Sequence, residues 1–365
     1  MAASEAPVER VESRAFRIPT DAPEADGTIT WNATTLVLVE VSGGGKTGIG
    51  YTYASSAARE IVTGVLAEIV IGQDAFDIPR LWVSLVRAVR NLGWRGVCAC
   101  AISAVDCASW DLKAKLFGVP AVRLLGAERN EVPIYGSGGF TSYTEKRLGQ
   151  QLAGWVERDG CRAVKMKIGR EPDRDLDRVR LARSSIGQAE LYVDANGALS
   201  RKQALSFAHR CSDVGVTWFE EPVSSDDLEG LRLMRDRGPP AMDIAAGEYG
   251  YDPFYFRRML EAGAVDVLQA DAARCGGYTG FLKAAALADA HGLPFSAHTA
   301  PALHLHAAAA APRLKNVEWF HDHVRIEQML FDGAPVAAKG AIRPDLSRPG
   351  IGLIFKAKDA EKFAI

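Results

Sequence analysis

The sequence predicts an α/β protein built around a modified TIM barrel, with an α+β domain before it. Two observations lead to this prediction. The first third of the chain groups strands ahead of helices, whereas short apolar runs alternate with amphipathic segments from about residue 130 onward. Blocks of strands followed by helices are typical of α+β domains, and eight strands alternating with seven helices are typical of a βα barrel.

Size, composition and charge limit the function classes. The chain has 365 residues, 48% hydrophobic and 24% charged, with a formal net charge of −2. This composition supports a large core and two domains. A near-neutral charge gives no electrostatic basis for binding nucleic acid or a membrane surface. The N-terminus lacks an apolar signal core and no apolar run could span a bilayer, so we expect a cytoplasmic protein.

The cysteines predict reduced thiols. None forms a CxxC pair, and most lie in apolar segments: Cys98, Cys100, Cys107, Cys161, Cys211 and Cys275. A chain of this length does not depend on disulfides for its core. The spacing of tetrahedral zinc ligands is also missing.

The first domain is predicted over residues 1–128 as an α+β cap. The segments "TTLVLVEVSGG" and "KTGIGYTYA" indicate two strands joined by a glycine-rich turn. Helical patterns follow in "AAREIVTGVLAEIV", "IPRLWVSLVRAVRN" and "GVCACAISAVDCASWDLKAKLFG". The last pattern ends at Gly118 before Pro120, a helix stop followed by a breaker.

The barrel is predicted over residues 129–325. Its strands are the apolar runs "VPIYG", "AVKMKIG", "LYVDANG", "VTWFEEP", "DIAAGE", "VDVLQAD", "LPFSAH" and "VEWF". Amphipathic segments such as "EKRLGQQLAGWVER" separate them. A doubly wound open sheet is the alternative. It would favour a glycine-rich phosphate loop after the first strand, for which "YGSGGF" is a weak candidate.

The end of the chain departs from a regular barrel. No clear amphipathic helix follows "VEWF", so the last barrel helix is expected to be missing. Residues 326–365 are rich in glycine and proline. We expect this segment to pack back on the first domain and complete it.

Polar residues stand at nearly every predicted strand end, where the active sites of βα barrels lie. In strand order, from the second to the eighth, they are Lys165 and Lys167, Asp194 and Asn196, Glu220, Glu248, Asp271, His298, and Glu318. They are spaced by about one βα unit each. A single carboxylate would most simply be a solvated turn residue, but the shared register predicts a site.

The acids on the third, fourth and fifth strands predict a metal centre. Asp194, Glu220 and Glu248 would surround one point and repel one another unless a cation lay between them. Hard oxygen ligands in this number, with room for substrate and water, suit one Mg²⁺ per site.

The remaining strand-end residues predict proton transfer. Asp271 can pair with His298 and orient its ring, while Lys167 lies across the barrel mouth. In "RAVKMKIG", Lys165 shares a strand face with Lys167 and lies closer to the acids, where it could hold a substrate carboxylate. A metal with opposed bases suits removal of the α-proton of a carboxylate, because the enediolate that forms needs electrostatic stabilisation.

At these residues the chain resembles the enolase superfamily, and its mandelate racemase subgroup in particular. The motifs "KMK", "DAN", "EEP", "GE", "D…GG" and "SAH" occur in the family order. The resemblance implies a capping domain, a (β/α)7β barrel, and Mg²⁺ held by the three acids. It also implies Lys167 as one base, His298 with Asp271 as the other, and Glu318 as a donor to the substrate carboxylate. The muconate-lactonizing branch is disfavoured, because it would carry a lysine where this chain has Asp271.

Weaker candidates surround this set. Glu221 points away from Glu220 and is expected to make a supporting or loop contact. His304 and His306 are expected to be helix-start packing residues, and His321 and His323 to lie in a loop near the mouth. Candidate substrate contacts, besides Asn196, are Tyr135, Ser137, Trp31, Tyr51 and Tyr53.

The expected function is Mg²⁺-dependent dehydration of a sugar acid, an aldonate or aldarate, to a 2-keto-3-deoxy acid. The same residues would serve a racemase or epimerase of a 2-hydroxy acid, so this alternative stays open. A barrel that binds a sugar acid without turnover would be expected to lose Lys167 or His298, and both are present. The expected partner is a small carboxylate, and we expect a homo-oligomer.

Overall fold

A computed structural model describes residues 5–365. The chain begins with a three-stranded antiparallel sheet in the order β1-β2-β3. Its strands are β1 (Arg10–Ala25), β2 (Thr30–Gly43) and β3 (Lys46–Tyr53). The helices that follow are α1 (Ala57–Ile61), α2 (Ala67–Val70), α3 (Ile78–Ala88), α4 (Val97–Phe117) and α5 (Ala121–Leu125), with a π-helical turn (Val62–Leu66) between α1 and α2.

Helix α4 lies directly on strand β3 because the strand carries glycines at the contact. A Cβ atom on Gly48 would lie 2.1 Å from the carbonyl oxygen of Ala108, and one on Gly50 would lie 2.2 Å from that of Ala104. Only glycine permits so close an approach of helix and strand backbones. The close packing joins the cap sheet to its helices in one hydrophobic core.

The second part of the chain is a closed parallel barrel, as predicted. Strand β11 pairs with β4 and completes the ring, which excludes the open doubly wound sheet. The strands are β4 (Val132–Gly138), β5 (Ala163–Lys167), β6 (Glu190–Asp194), β7 (Val216–Glu220), β8 (Asp243–Ala246), β9 (Val267–Ala270), β10 (Phe295–Ala297) and β11 (Leu314–Phe320).

A helix follows each barrel strand in turn. These helices are α6 (Glu145–Glu157), α7 (Pro172–Ser185), α8 (Arg201–Ser212), α9 (Leu228–Arg237), α10 (Pro253–Glu261), α11 (Gly277–Ala290), α12 (Pro301–Ala310) and α13 (His321–Leu330). Inside the ring, Tyr135, Tyr192 and Trp218 form part of an apolar layer. The polar strand-end residues lie beyond this layer.

Helix α13 was not predicted, because no amphipathic pattern follows the last strand. Its buried face mixes the apolar Ile326 and Leu330 with the polar side chains of Asp322, His323 and Glu327. Glu327 accepts hydrogen bonds from the Tyr51 hydroxyl and the Ala302 amide, and Asp322 accepts one from the Thr34 hydroxyl. Polar bonding to the cap and to helix α12 thus replaces part of the apolar stripe that reveals a helix in sequence.

The C-terminal tail returns to the cap, as predicted. It contains β12 (Phe331–Asp332), β13 (Ala341–Ile342), β14 (Ile354–Phe355), α14 (Ala357–Ala360) and a 3₁₀ turn (Glu361–Phe363). The Phe355 ring lies 5.4 Å from that of Phe16, and Ala364 forms a bridge with Phe16. All six cysteines are buried and free. Within residues 5–365, no helix has the length and apolar character needed to cross a membrane.

Candidate active site

Three carboxylates converge at the C-terminal ends of the barrel strands. One oxygen from each of Asp194, Glu220 and Glu248 lies within 4.8 Å of the others. Strand register causes this convergence, because Lys167 pairs with Asp194 across β5 and β6, and Asp194 pairs with Glu220 across β6 and β7. The side chains of Asp194 and Glu220 therefore emerge at one height, and Glu248 joins them from the segment that follows β8.

These acids suit Mg²⁺. All three side chains are buried, and burial raises the pKa of Glu220 to about 8 even though Lys165 opposes the rise. Burial and the neighbouring acids thus disfavour the ionised form of Glu220 without a further cation. An all-oxygen donor set is the set that Mg²⁺ prefers.

The two lysines of "RAVKMKIG" differ in their surroundings. Lys165 is fully buried, and its Nζ atom lies 2.6 Å from Glu220 and 2.8 Å from Glu318. Burial lowers its pKa, but these acids raise it well above the usual value. Lys167 instead lines a cavity between the cap and the barrel mouth, and its Nζ atom lies 2.5 Å from Oδ2 of Asp194. Lys165 is thus an internal cation, and Lys167 can reach a ligand.

His298 lies between two acids. Its Nδ1 atom is 2.9 Å from Oδ2 of Asp271, and its Nε2 atom is 3.0 Å from Oε2 of Glu248. Burial lowers the pKa of His298, but Glu248 and Asp271 outweigh it and raise the pKa to about 9. Burial likewise opposes ionisation of Asp271, yet His298 holds the pKa of Asp271 at about 2. The predicted pair of Asp271 and His298 is present in the structure.

Glu318 contacts several donors at the mouth. Its carboxylate accepts hydrogen bonds from the Ser137 hydroxyl at 2.5 Å and the Thr299 amide at 3.1 Å, and it pairs with Lys165. Burial would raise its pKa, but Lys165 and His298 hold the pKa at about 2. Glu318 is therefore ionised and acts as an acceptor in this geometry. Donation to a substrate oxygen, which the resemblance implied, stays a prediction.

Several residues that follow these strands adopt left-handed backbone conformations that non-glycine residues rarely take. Their φ values are 46° at Asn196, 38° at Glu221, 50° at Thr299 and 39° at Ala300. Such strain persists where the surroundings over-determine the backbone, commonly at functional sites. The three converging acids Asp194, Glu220 and Glu248 form what we call the metal-type group. Glu221 is buried beside this group but is not part of it.

A cavity of about 340 Å³ opens between the cap and the barrel mouth. Lys167, Glu248 and His298 line its barrel side. Of the predicted substrate contacts, Trp31, Tyr53 and Asn196 line it as well. The structure thus brings the proton-transfer groups and these three residues to one space.

Three other predicted substrate contacts do not line this cavity, which corrects the expectation for them. Tyr51 is fully buried and donates its hydroxyl hydrogen to Glu327 at 2.6 Å. Tyr135 lies in the apolar layer inside the barrel. Ser137 is buried and donates to Glu318. Their positions on or near a mouth-forming element did not reveal which way the side chains point.

Sequence reasoning missed other cavity residues, notably Arg274 and Tyr249. The Arg274 guanidinium lies 3.4 Å from the Asp271 carboxylate and 3.6 Å from that of Glu248. A cation three residues after a strand-end acid, in "DAARCGG", is a signal that could have identified it. Tyr249 directly follows Glu248, so the loop after that strand end was also informative.

The four weaker histidine candidates have distinct surroundings. His304 and His306 are buried and bonded to backbone groups on both ring nitrogens, which agrees with a packing role. His321 and His323 lie in helix α13 rather than in the predicted loop. His321 pairs with Asp21 of the cap at 3.0 Å, whereas His323 lines the cavity.

A capped βα barrel with three clustered acids, a strand-end lysine and an Asp–His pair defines an enolase-type site. The family model for the mandelate racemase / muconate lactonizing enzyme N-terminal domain matches residues 11–126. The model described as enolase C-terminal domain-like matches residues 147–360. The chain belongs to the mandelate racemase / muconate lactonizing enzyme family of the enolase superfamily.

Curated relatives catalyse reactions of sugar acids. A 3,6-anhydro-alpha-L-galactonate cycloisomerase from Streptomyces coelicolor is 32% identical, with 98% of this chain and 99% of the relative covered. An L-talarate/galactarate dehydratase from Salmonella typhimurium is also 32% identical, with 82% and 77% covered. These names show that related chains act on sugar acids by more than one reaction.

Solved structures match the whole fold. A mandelate racemase/muconate lactonizing enzyme-like protein from Rubrobacter xylanophilus is 50% identical with a TM-score of 0.96, covering 98% of this chain and 100% of that one. A racemase from Streptomyces coelicolor with bound magnesium is 30% identical with a TM-score of 0.92, at the same coverage.

Proposed function

We propose that this protein removes the α-proton of a sugar acid in a Mg²⁺-dependent reaction and dehydrates the acid to a 2-keto-3-deoxy acid. One observation carries the proposal: Lys167 and His298 line the same cavity as the metal-type acid Glu248. These groups come from the second and seventh strands of the ring, so they approach the cavity from different sides. A carboxylate held between them would have a proton-transfer group on either face.

The residues around the cavity have different roles in the proposed reaction. Asp194, Glu220 and Glu248 would hold Mg²⁺, which supplies positive charge at the substrate carboxylate where negative charge builds. Asp271 accepts from Nδ1 of His298 and leaves Nε2 as the reactive nitrogen. Lys165 stays cationic and balances the buried acids around it.

Dehydration then needs one base and one acid. The base, Lys167 or His298, takes the α-proton, and the C–H electron pair moves into the substrate to form the enediolate. The β-hydroxyl leaves with a proton from the acid as water, and the resulting enol becomes the 2-keto acid. The named dehydratase relative supports this outcome.

Racemisation or epimerisation is the second candidate, favoured by the same pair of groups. If the conjugate acid on the opposite face returns a proton to the α-carbon, the configuration inverts and no water leaves. The racemase with bound magnesium supports this reading. A purely binding barrel is not supported, because Lys167 and His298 both reach the cavity.

A sugar-acid panel in D₂O with Mg²⁺ tests the proposal, with 2-keto product and deuterium at the α-carbon of the recovered acid measured together. We expect keto product carrying deuterium at C3 for at least one acid, and its loss in Lys167→Ala and His298→Asn. Exchange without keto product would contradict dehydration and support the racemase. Absence of both signals, under conditions where calorimetry detects Mg²⁺ binding, would contradict both reactions.

A further inference from the structure

We infer that the substrate is a polyhydroxy monocarboxylate with an uncharged far end, rather than a dicarboxylate. The inference rests on the proposed function and narrows its substrate class. A second substrate carboxylate would need a cation in the cavity that is not already paired with an acid. One substrate carboxylate would lie at the metal-type group. The charges on the remaining cavity wall therefore determine which chemical group the other end of the substrate can carry.

The lysine and the arginine that line the cavity, Lys167 and Arg274, are both engaged at the barrel side. Lys167 pairs with Asp194 at 2.5 Å. Arg274 lies between the carboxylates of Asp271 and Glu248, at 3.4 and 3.6 Å, and also donates to the Glu248 carbonyl at 3.2 Å. Two acids thus balance the Arg274 charge, and no described lysine or arginine lines the cap side of the cavity.

The remaining wall includes neutral aromatic rings, from the cap and from Phe320 and His323 beside it. The rings of Tyr53 and His323 stack with centroids 3.5 Å apart, and Phe320 packs edge-on against His323 at 5.0 Å. Nδ1 of His323 accepts the Ala300 amide hydrogen at 3.2 Å, which fits the neutral ring. Burial, the largest effect, lowers the pKa of His323 well below its usual value. Trp31 and Ile29 extend this wall.

The cap side also carries the carboxyl group of Asp26. Oδ1 of Asp26 accepts hydrogen bonds from the amides of Thr28 at 2.6 Å and Ile29 at 2.8 Å. A second substrate carboxylate near this wall would meet like charge and lose its hydration without gaining a cation. Arg170 bonds Thr30 at the cap but is exposed and does not line the cavity.

Neutral hydrogen-bonding groups remain for hydroxyls. The Tyr53 hydroxyl and Oδ1 of Asn196 are buried, line the cavity and have no partner within residues 5–365. Buried polar atoms are normally satisfied, so these two atoms are available to a ligand. A donor and an acceptor of this kind complement sugar hydroxyls, and aromatic faces complement the C–H groups of the carbon chain.

Matched pairs that differ only in the terminal group test the inference. The Mg²⁺-loaded protein is assayed with galactonate against galactarate and gluconate against glucarate, by α-deuterium exchange and keto product. We expect the better monocarboxylate to exceed every dicarboxylate at least 100-fold in kcat/KM. A dicarboxylate that equals or exceeds its partner would overturn the inference and leave the proposed function intact. The absence of both exchange and keto product with every acid of a wider panel would overturn the inference and the proposed function together.

A charge added to the wall gives an independent test. Ile29 is 60% exposed, so Ile29→Arg is expected to fold while placing a cation on the cap side. We expect it to raise kcat/KM for dicarboxylates relative to monocarboxylates at least tenfold. The neutral variant Ile29→Gln controls for side-chain length and should not produce this change. An unchanged ratio in folded Ile29→Arg would contradict the assignment of this wall to the far end of the substrate.

Discussion

The imidazole of His298 bridges Asp271 and Glu248, with Nδ1 2.9 Å from Oδ2 of Asp271 and Nε2 3.0 Å from Oε2 of Glu248. One nitrogen is therefore committed to an orienting acid, while the other faces the metal-type group and the cavity. The tautomer and the direction of the reactive nitrogen both depend on Asp271.

Replacing Asp271 with asparagine tests this dependence. Asp271→Asn keeps the shape but offers an amide to Nδ1, so the ring loses its fixed tautomer and the acid that stabilises its charged form. We expect kcat for α-proton exchange to fall by about 10³–10⁴-fold, as in other acid–imidazole pairs. Mg²⁺ affinity should stay near the wild-type value, because Asp271 is not in the metal-type group. Exchange within tenfold of wild type would show that His298 does not depend on this acid.

The three-acid assignment predicts a sharp difference between neighbouring glutamates. Glu220→Gln removes one of the converging carboxylates, so we expect Mg²⁺ binding to be lost in calorimetry while the fold persists by circular dichroism. Glu221→Gln is the matched control, since Glu221 is buried next to the group but outside it, and it should retain Mg²⁺. Retained affinity in Glu220→Gln would overturn the ligand assignment.

We expect Lys165 to contribute mainly to stability and Lys167 mainly to catalysis. Lys165→Met leaves Glu220 and Glu318 without their buried cation, and breaking such pairs costs about 3–5 kcal/mol of unfolding free energy. Lys167→Ala removes a cavity-lining group with a single acid partner, Asp194, so we expect the smaller loss of stability and the larger loss of exchange per folded molecule. Denaturant unfolding and exchange rates on both variants measure the two effects. Equal stability losses would contradict this division.

The buried His306, which lies outside the active-site cavity, is expected to make stability depend on pH. His306 accepts the Val122 amide hydrogen at Nδ1 and donates from Nε2 to the Ile351 carbonyl, so its neutral form is the bonded one. Burial lowers the pKa of His306 from 6.5 to about 4. Between these values the unfolded chain binds more protons, so stability falls as pH falls from 6.5 towards 4, by about 3 kcal/mol in all.

His306→Asn removes this titration. The variant should be less stable than wild type at pH 7, because the two backbone bonds are weakened, but its stability should fall less steeply between pH 6.5 and 4. Urea unfolding at several pH values compares the two slopes. Parallel slopes would show that His306 does not contribute the expected proton uptake.

The barrel and most of its chemistry were predictable because both follow from short-range patterns. Alternation of faces along strands put Lys167, Asp194 and Glu220 at one height, and a closed ring of parallel strands brought them together. Helix α13 was not predictable in this way, because its buried residues Asp322 and Glu327 are polar and bond to the cap.

Substrate contacts were the least predictable part of the site. Tyr51 and Tyr53 are two residues apart and share one face of strand β3, yet Tyr53 lines the cavity and Tyr51 is buried against Glu327. Arg274 and Ile29 reach the cavity from loops whose direction depends on how cap and barrel meet. Such long-range placement leaves no periodic signal in sequence.

The most direct test of the central claim is deuterium incorporation from D₂O during turnover of a sugar acid with Mg²⁺, compared between wild type and the double variant Lys167→Ala/His298→Asn. We predict that the wild-type protein incorporates one deuterium, at C3 of the keto product in dehydration or at the α-carbon in racemisation, and that the double variant loses at least about 10⁴-fold of this rate, since each base contributes about 10²–10⁴-fold. Exchange that persists in the folded, Mg²⁺-binding double variant would contradict the assignment of these two residues as the proton-transfer groups.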